Sequence, residues 1–363
     1  MTEFSQKQDR IQALLAERKL DALLLRRVSS FAWATCGAAS YVNTATTNGE
    51  AALLMTSPGR YLVTNNIEAT RLEQEEKLAA QGWEFRVVPW HETQESVAEL
   101  ARGLRLGADG PYPGATDLSG DLARLRAQLT PEEDTRFRAL GRLCGEAMDS
   151  AARAIRPGLT EYQIAGLLAR EAESRGVQAI VNLIATDARI FAFRHPLPTE
   201  KELKRYAMLV FCGRRWGLVC SLTRLVHFGP LPPEMRRKQE AAAQVDGTFI
   251  AASRPGARIS DIFKKAVEAY REVGYPDEWK LHHQGGLAGY EPREYLATPI
   301  SHQVVRPLQA FAWNPSITGT KSEDTIIVNE EDYEIITAVG DWPQIPVQVE
   351  GQLIERPAIL ELS

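Results

Sequence analysis

Few residues in this chain are suited to moving protons. Of its six histidines, His195 stands in Arg194-His195-Pro196 and His283 in His282-His283-Gln284-Gly285-Gly286, while Glu323 opens Glu323-Asp324-Thr325. A histidine of near-neutral pKa and a carboxylate together suffice for proton transfer without a metal. The interval between Glu202 and Glu234 contains no Asp or Glu, although five basic residues (Lys204, Arg205, Arg214, Arg215, Arg224) fall within it. No metal-binding carboxylate can come from there. Taken singly, each group also has an ordinary structural reading. His195 reads as a surface or core histidine before a proline, His282-His283 as a turn with one imidazole bonded to backbone, and Glu323 as the ion-pair partner of Arg224. The serine-elbow, phosphate-loop, zinc-protease and dinucleotide signatures are missing.

The elements that must position these residues follow from periodicity. Apolar runs over 208–212 and 218–222, separated by Gly-Arg-Arg-Trp-Gly, predict a hairpin in a buried sheet. Upstream, a helical stripe over 6–18, a strand over 20–25, strands over 51–55 and 61–63 about a Pro58-Gly59 turn, and a helix over 68–78 predict a small α/β domain. Five glycines and two prolines crowd residues 103–120. Thr130-Pro131-Glu132-Glu133 then reads as a helix start with a capping box, so the domains are set at 1–127 and 128–363. The second domain repeats itself. Arg156-Pro157-Gly158 and Arg254-Pro255-Gly256 each follow an alanine-rich helical run, and each leads through a polar cap (Thr160-Glu161, Ser260-Asp261) into an amphipathic helix. Each helix ends near a glycine eighteen residues beyond the first, Gly176 and Gly274.

Length and composition bound the rest. A chain of 363 residues, 44% apolar and 25% charged, suits two globular domains. A net charge of −5 offers no basic face for nucleic acid. No apolar run approaches the ~18 residues that span a bilayer, and the polar start MTEFSQKQDR lacks a signal core, so a cytoplasmic protein is expected. Cys36, Cys144, Cys212 and Cys220 have no metal-knuckle spacing and read as reduced thiols.

The hairpin followed by Thr223-Arg224, the duplicated unit and the motifs above together resemble the prolidase, aminopeptidase P, methionine aminopeptidase and creatinase superfamily (peptidase M24), the pita-bread fold. That resemblance implies an α/β (α+β) architecture of two domains, the second with an internal pseudo-twofold. It also implies roles. His195 matches the histidine that binds or protonates substrate, His283 a metal-binding histidine, and Glu323 the glutamate that bridges two metals. Asn314, in Asn314-Pro315, stands where a liganding glutamate is expected, Tyr290 where a second histidine is expected, and Phe211 and Leu222 where two aspartates are expected. Only His283 and Glu323 remain of five ligands, whereas a catalytic centre takes three or more.

No metal or other cofactor is therefore expected, with manganese, zinc or cobalt as the alternative. The expected catalytic residues are His195, His283 and Glu323, and the expected substrate-binding residues are Tyr290, Asn314, Arg224 and Lys321. The expected ligand is a small amide, amidino or dipeptide-like compound, bound and hydrolysed without metal. A working proline dipeptidase or Xaa-Pro aminopeptidase, and an inactive homologue used for binding, are the alternatives. The basic hairpin favours an anionic or carboxylate-bearing ligand. A homodimer is the assembly the resemblance implies.

Overall fold

The computed structural model describes residues 2–57, 59–92 and 96–363. The chain divides into two compact units, one running to Arg126 with Trp216–Leu218 added, the other comprising Ala127–Arg215 and Val219–Ser363.

In the first unit the helix Glu3–Arg18 is capped by Thr2, whose side chain accepts from Ser5 N, and ends at Lys19 in the left-handed region. Six strands follow in the order Glu84–Val88, Arg60–Asn65, Asn48–Thr56, Ala22–Arg27, Leu106–Ala108, Ala115–Asp117. The strand Ala22–Arg27 opens with four buried residues, Ala22 to Leu25, as expected for a central strand. The predicted Pro58-Gly59 turn lies partly outside the described residues, because Pro58 is not among them.

The second unit opens as its sequence predicts. Glu133 N donates to Thr130 Oγ1 (3.2 Å) and Thr130 N to Glu133 Oε2 (2.7 Å), closing a capping box on the helix Pro131–Ala154. The two Arg-Pro-Gly segments make the same backbone connections. Gly158 N donates to Leu203 O (2.8 Å) and Leu203 N to Leu159 O (2.8 Å); Gly256 N donates to Val305 O (2.9 Å) and Val305 N to Ala257 O (2.9 Å). Gly158, Gly256, Gly176 and Gly274 all have φ between 69° and 91°, a conformation that glycine adopts without steric cost. One detail differs from expectation by two residues. Thr160 caps its helix through Gln163, but the second copy begins at Ile259, ahead of the expected Ser260 cap, with Arg258 at the N-cap and no side-chain bond.

Each copy feeds a sheet. The first has the order Leu360–Leu362, Leu218–Phe228, Tyr206–Arg215, Gln178–Thr186; the second has Tyr295–Leu296, Gly285–Ala288, Gln309–Trp313, Asp324–Val328, Tyr333–Ile335. The hairpin strands extend further than predicted, so its turn shrinks to Trp216-Gly217, both at positive φ (53° and 75°). Positive φ at both central residues suits the twist of a two-residue hairpin. The sheets meet where Thr223 N donates to Glu323 O (3.1 Å) and Ser221 N to Thr325 Oγ1 (2.9 Å). Behind the second sheet, Trp313 stacks between Phe249 and Phe311, with ring centroids 4.5 and 5.4 Å away. Among the described residues no helix is long and apolar enough to cross a membrane.

Gly285 connects this fold to the histidine pair. Its φ is 95°, and a Cβ there would lie 2.1 Å from Ala312 O. Neither the strain nor the backbone clash can be relieved by moving a side chain. Gly285→Ala is expected to destabilise the unit by more than ~2 kcal/mol, read as a lower urea midpoint. An unchanged midpoint would contradict the close packing of these strands.

Candidate active site at the histidine cluster

Three connections carry the site, and two carboxylates, one buried and one half-buried, fix them. Glu161, at the first turn of the helix Glu161–Glu173, accepts from Thr186 N (2.8 Å), Thr199 N (2.9 Å), Thr199 Oγ1 (2.7 Å) and Arg189, while Arg189 Nη2 donates to Leu197 O (3.0 Å). That clamp holds the segment bearing His195. Glu278 begins the short helix Glu278–Leu281 and accepts from Arg194 Nη2 (2.6 Å) and from Thr318 N (3.0 Å) and Thr318 Oγ1 (2.8 Å). It thereby ties the neighbour of His195 and the connection leading to Lys321 onto the element that ends at His282.

The outcome is a cluster of His195, His282 and His283 whose ligand-capable atoms lie within 4.8 Å of one another. His195 Nε2 is 3.0 Å from His282 Nε2. His283 Nδ1 accepts from Gly285 N (3.3 Å). Burial, then Lys321, lowers the His282 pKa to about 2, and burial, then Arg293, lowers that of His283 to about 4; burial also lowers that of His195. Each shift favours the neutral imidazole.

Beside them Glu323 is buried, and each of its oxygens accepts from a cationic side chain. Its Oε2 accepts from Thr223 Oγ1 (2.6 Å) and Lys321 Nζ (2.7 Å), and its Oε1 from Arg293 Nη2 (3.0 Å). Burial acts to raise the Glu323 pKa, but Lys321 and Arg293, with the hydrogen bonds from Lys321 and Thr223, outweigh it and hold the value at about 2.

The structure thus brings His195, His283, Lys321 and Glu323 together and separates other predicted residues from them. Arg224 pairs with Asp324 Oδ1 (2.8 Å), not with Glu323. Tyr290 Oη donates to Glu133 Oε1 (2.6 Å), toward the capping box. Asn314 is not among the separated residues: its backbone N donates to Gln284 O (3.1 Å), beside His283, and its side-chain oxygen is buried without a hydrogen-bond partner among the described residues.

The hairpin expectation needs correction. Cys212 Sγ lies 3.2 Å from Ser221 Oγ, which accepts from Arg293 Nη1 (3.0 Å), so Cys212 and Ser221 face the site. Phe211 and Leu222 point to the opposite face, since side chains alternate along a strand. A Cβ at Gly213 would meet Cys144 Sγ and Phe211 Cε1, and Cys220 interacts with Cys144 of the helix Pro131–Ala154. Sequence reasoning also missed Arg293 and the role of His282. The one available signal for Arg293 was its place directly after Glu291-Pro292.

These residues do not fit a pair of divalent ions. Both Glu323 oxygens already serve cations, the inward hairpin groups are a hydroxyl and a thiol whose pKa burial pushes up to about 11, and His283 Nδ1 is taken by a backbone N–H. A dinuclear centre needs bridging carboxylates to offset its charge.

The lowered histidine pKa values make stability depend on pH. In the unfolded chain His282 and His283 take up protons near 6.5, whereas the folded chain resists until about 4 or below. The unfolded state binds more protons in that window, so their stabilisation is complete above 6.5 and declines as pH falls toward 4. Each contributes up to about 2 kcal/mol between pH 6.5 and 5. Melting temperature is expected to fall between pH 7.5 and 5, and to fall less in His282→Asn/His283→Asn. Equal falls in both proteins would remove the two imidazoles as the cause.

Comparison with known proteins agrees with this architecture. The profile of the creatinase/prolidase N-terminal domain matches residues 7–133, and that of metallopeptidase family M24 matches residues 135–334. An uncharacterized peptidase of Staphylococcus epidermidis is 24% identical over 234 residues, 61% of this chain; the chain spans 65% of that relative's length. A Staphylococcus aureus uncharacterized peptidase is 23% identical over 259 residues, covering 68% of this chain and 71% of its own. The prolidase from Pyrococcus horikoshii superposes with a TM-score of 0.79 at 16% identity, covering 92% of this chain and 99% of its own. The Xaa-Pro dipeptidase from Bacillus anthracis does so with 0.79 at 18%, covering 99% and 100%. With the family profile spanning more than half its length, the fold of prolidases, and a histidine and a glutamate brought together as the resemblance implied, this chain belongs to metallopeptidase family M24.

Proposed function

We propose that this M24 protein works without a metal ion in the cytoplasm, binding a small carboxylate-bearing amide, amidino or dipeptide-like compound at the histidine cluster. His195, the most exposed of the three imidazoles, then serves any hydrolysis of that compound. The observation that supports this reading best is the saturation of Glu323 by Lys321, Arg293 and Thr223. Fixed cations stand where a bridging carboxylate would otherwise need ions, and they favour an anionic ligand. A homodimer is part of the proposal, and light scattering is expected to give twice the chain mass.

A working proline dipeptidase or Xaa-Pro aminopeptidase is the second reading, favoured by family membership and by the convergence of three imidazoles. An inactive homologue used for binding is the third. Elemental analysis of protein purified without chelator is expected to find manganese, zinc and cobalt substoichiometric. Turnover in a screen of amides, amidino compounds and Xaa-Pro dipeptides is expected to be indifferent to EDTA. A stoichiometric metal centre with EDTA-sensitive dipeptide hydrolysis would sink the proposal in favour of the second reading. Ligand binding with no turnover on any of these compounds would favour the third.

A further inference from the structure

Each neutral imidazole carries one hydrogen, and the partner of one nitrogen decides what the other can do. At His283 a backbone N–H points at Nδ1. Nδ1 must be the lone pair, so Nε2 carries the hydrogen. At His282 the decision comes from charge. Its Nδ1 is buried without a hydrogen-bond partner among the described residues. His282 and Lys321 line the same cavity, of about 10 Å³. A buried N–H with no acceptor beside an ammonium costs more than a lone pair there, because the ammonium attracts the lone pair and repels the hydrogen. The His282 hydrogen therefore sits on Nε2 and is donated to His195 Nε2, 3.0 Å away. With Nε2 accepting, His195 carries its hydrogen on Nδ1.

His195 Nδ1 and His283 Nε2 then both present hydrogens, and the remaining lone pair, on His282 Nδ1, is buried on the Lys321 side. Lys321, 4% exposed, has among the described residues a single hydrogen-bond partner, Glu323, for its three hydrogens. Glu323 has both oxygens occupied. We infer that the histidine cluster is a donor site for one carboxylate group, presented with His195 Nδ1–H, His283 Nε2–H and the Lys321 ammonium, because His282 and the Gly285 N–H occupy the other nitrogens of His195 and His283. Carboxylate is the complementary chemistry, since an ionised carboxylate only accepts and its charge-assisted bonds are about twice as strong as neutral ones. A metal ion needs lone pairs and would meet hydrogens at His195 Nδ1 and His283 Nε2. The inference rests on the metal-independent reading above and adds to it the group by which the ligand is recognised.

Six histidines make the test tractable by long-range ¹H–¹⁵N correlation of the full chain at pH 7.5. In EDTA-treated wild-type protein, His282 and His283 are expected as Nε2–H tautomers and His195 as Nδ1–H. Adding N-acetylglycine should shift the His195 Nδ1–H and His283 Nε2–H signals along one binding curve. N-acetylglycinamide, its uncharged counterpart, should bind at least tenfold more weakly, and Lys321→Gln should weaken N-acetylglycine by at least tenfold. The tautomer reading needs no variant, so a poorly folded Lys321→Gln leaves it intact. His195 found as Nε2–H, or equal affinity for acid and amide, overturns the inference while leaving metal independence standing. N-acetylglycine binding only after zinc is added overturns both.

Discussion

A carboxylate buried from water must find positive charge within hydrogen-bonding distance, and Glu323 imposes that demand on the whole second unit. An ionised carboxylate taken out of water is costly unless paired and hydrogen-bonded. Lys321 meets the demand from two residues away, Arg293 from the turn after Gly285–Ala288, and Thr223 from the opposite sheet. The contacts that satisfy the charge therefore also join the two sheets. They further explain the neutral histidines, because two nearby cations and burial act on the imidazoles in the same direction.

One residue further along, Asp324 faces away and belongs to a second charge network. It accepts from Arg224 (2.8 Å) and Arg356 (2.7 Å), and Arg356 also reaches Asp246 (2.8 Å), all nearly inaccessible to solvent. Two arginines and two carboxylates balance there without involving the cluster. Alternation along a single strand start thus separates a structural network from a chemical one. Glu323 and Asp324 are adjacent in sequence, and only their faces distinguish them.

The sequence made much of this legible because it rests on local rules. The capping box at Thr130 and the two Arg-Pro-Gly turns depend on residue types at fixed spacing, and the structure has both. The hairpin faces were another matter. Counting eleven residues from Phe211 reached Leu222, but a slip of one residue moves every side chain to the other face, and Cys212 and Ser221 are the inward pair. Arg224 was misassigned for a similar reason, since its partner is decided by which face Asp324 takes. Arg293 and the dependence of His195 on His282 are long-range facts, joining segments 30 and 87 residues apart. No periodicity records such a meeting.

The short reach from Lys321 to Glu323 has a consequence for how dependable the site is. A cation borrowed from solution is present only in proportion to its concentration, and dilution or competition can strip it away. Lys321 and Arg293 belong to the chain itself. Their charge is delivered at full occupancy with every molecule synthesised, whatever the surrounding ion supply. The corresponding cost falls on folding, since every molecule must desolvate an ammonium and a carboxylate before the pocket exists. The pocket and the folded unit are in this sense acquired together.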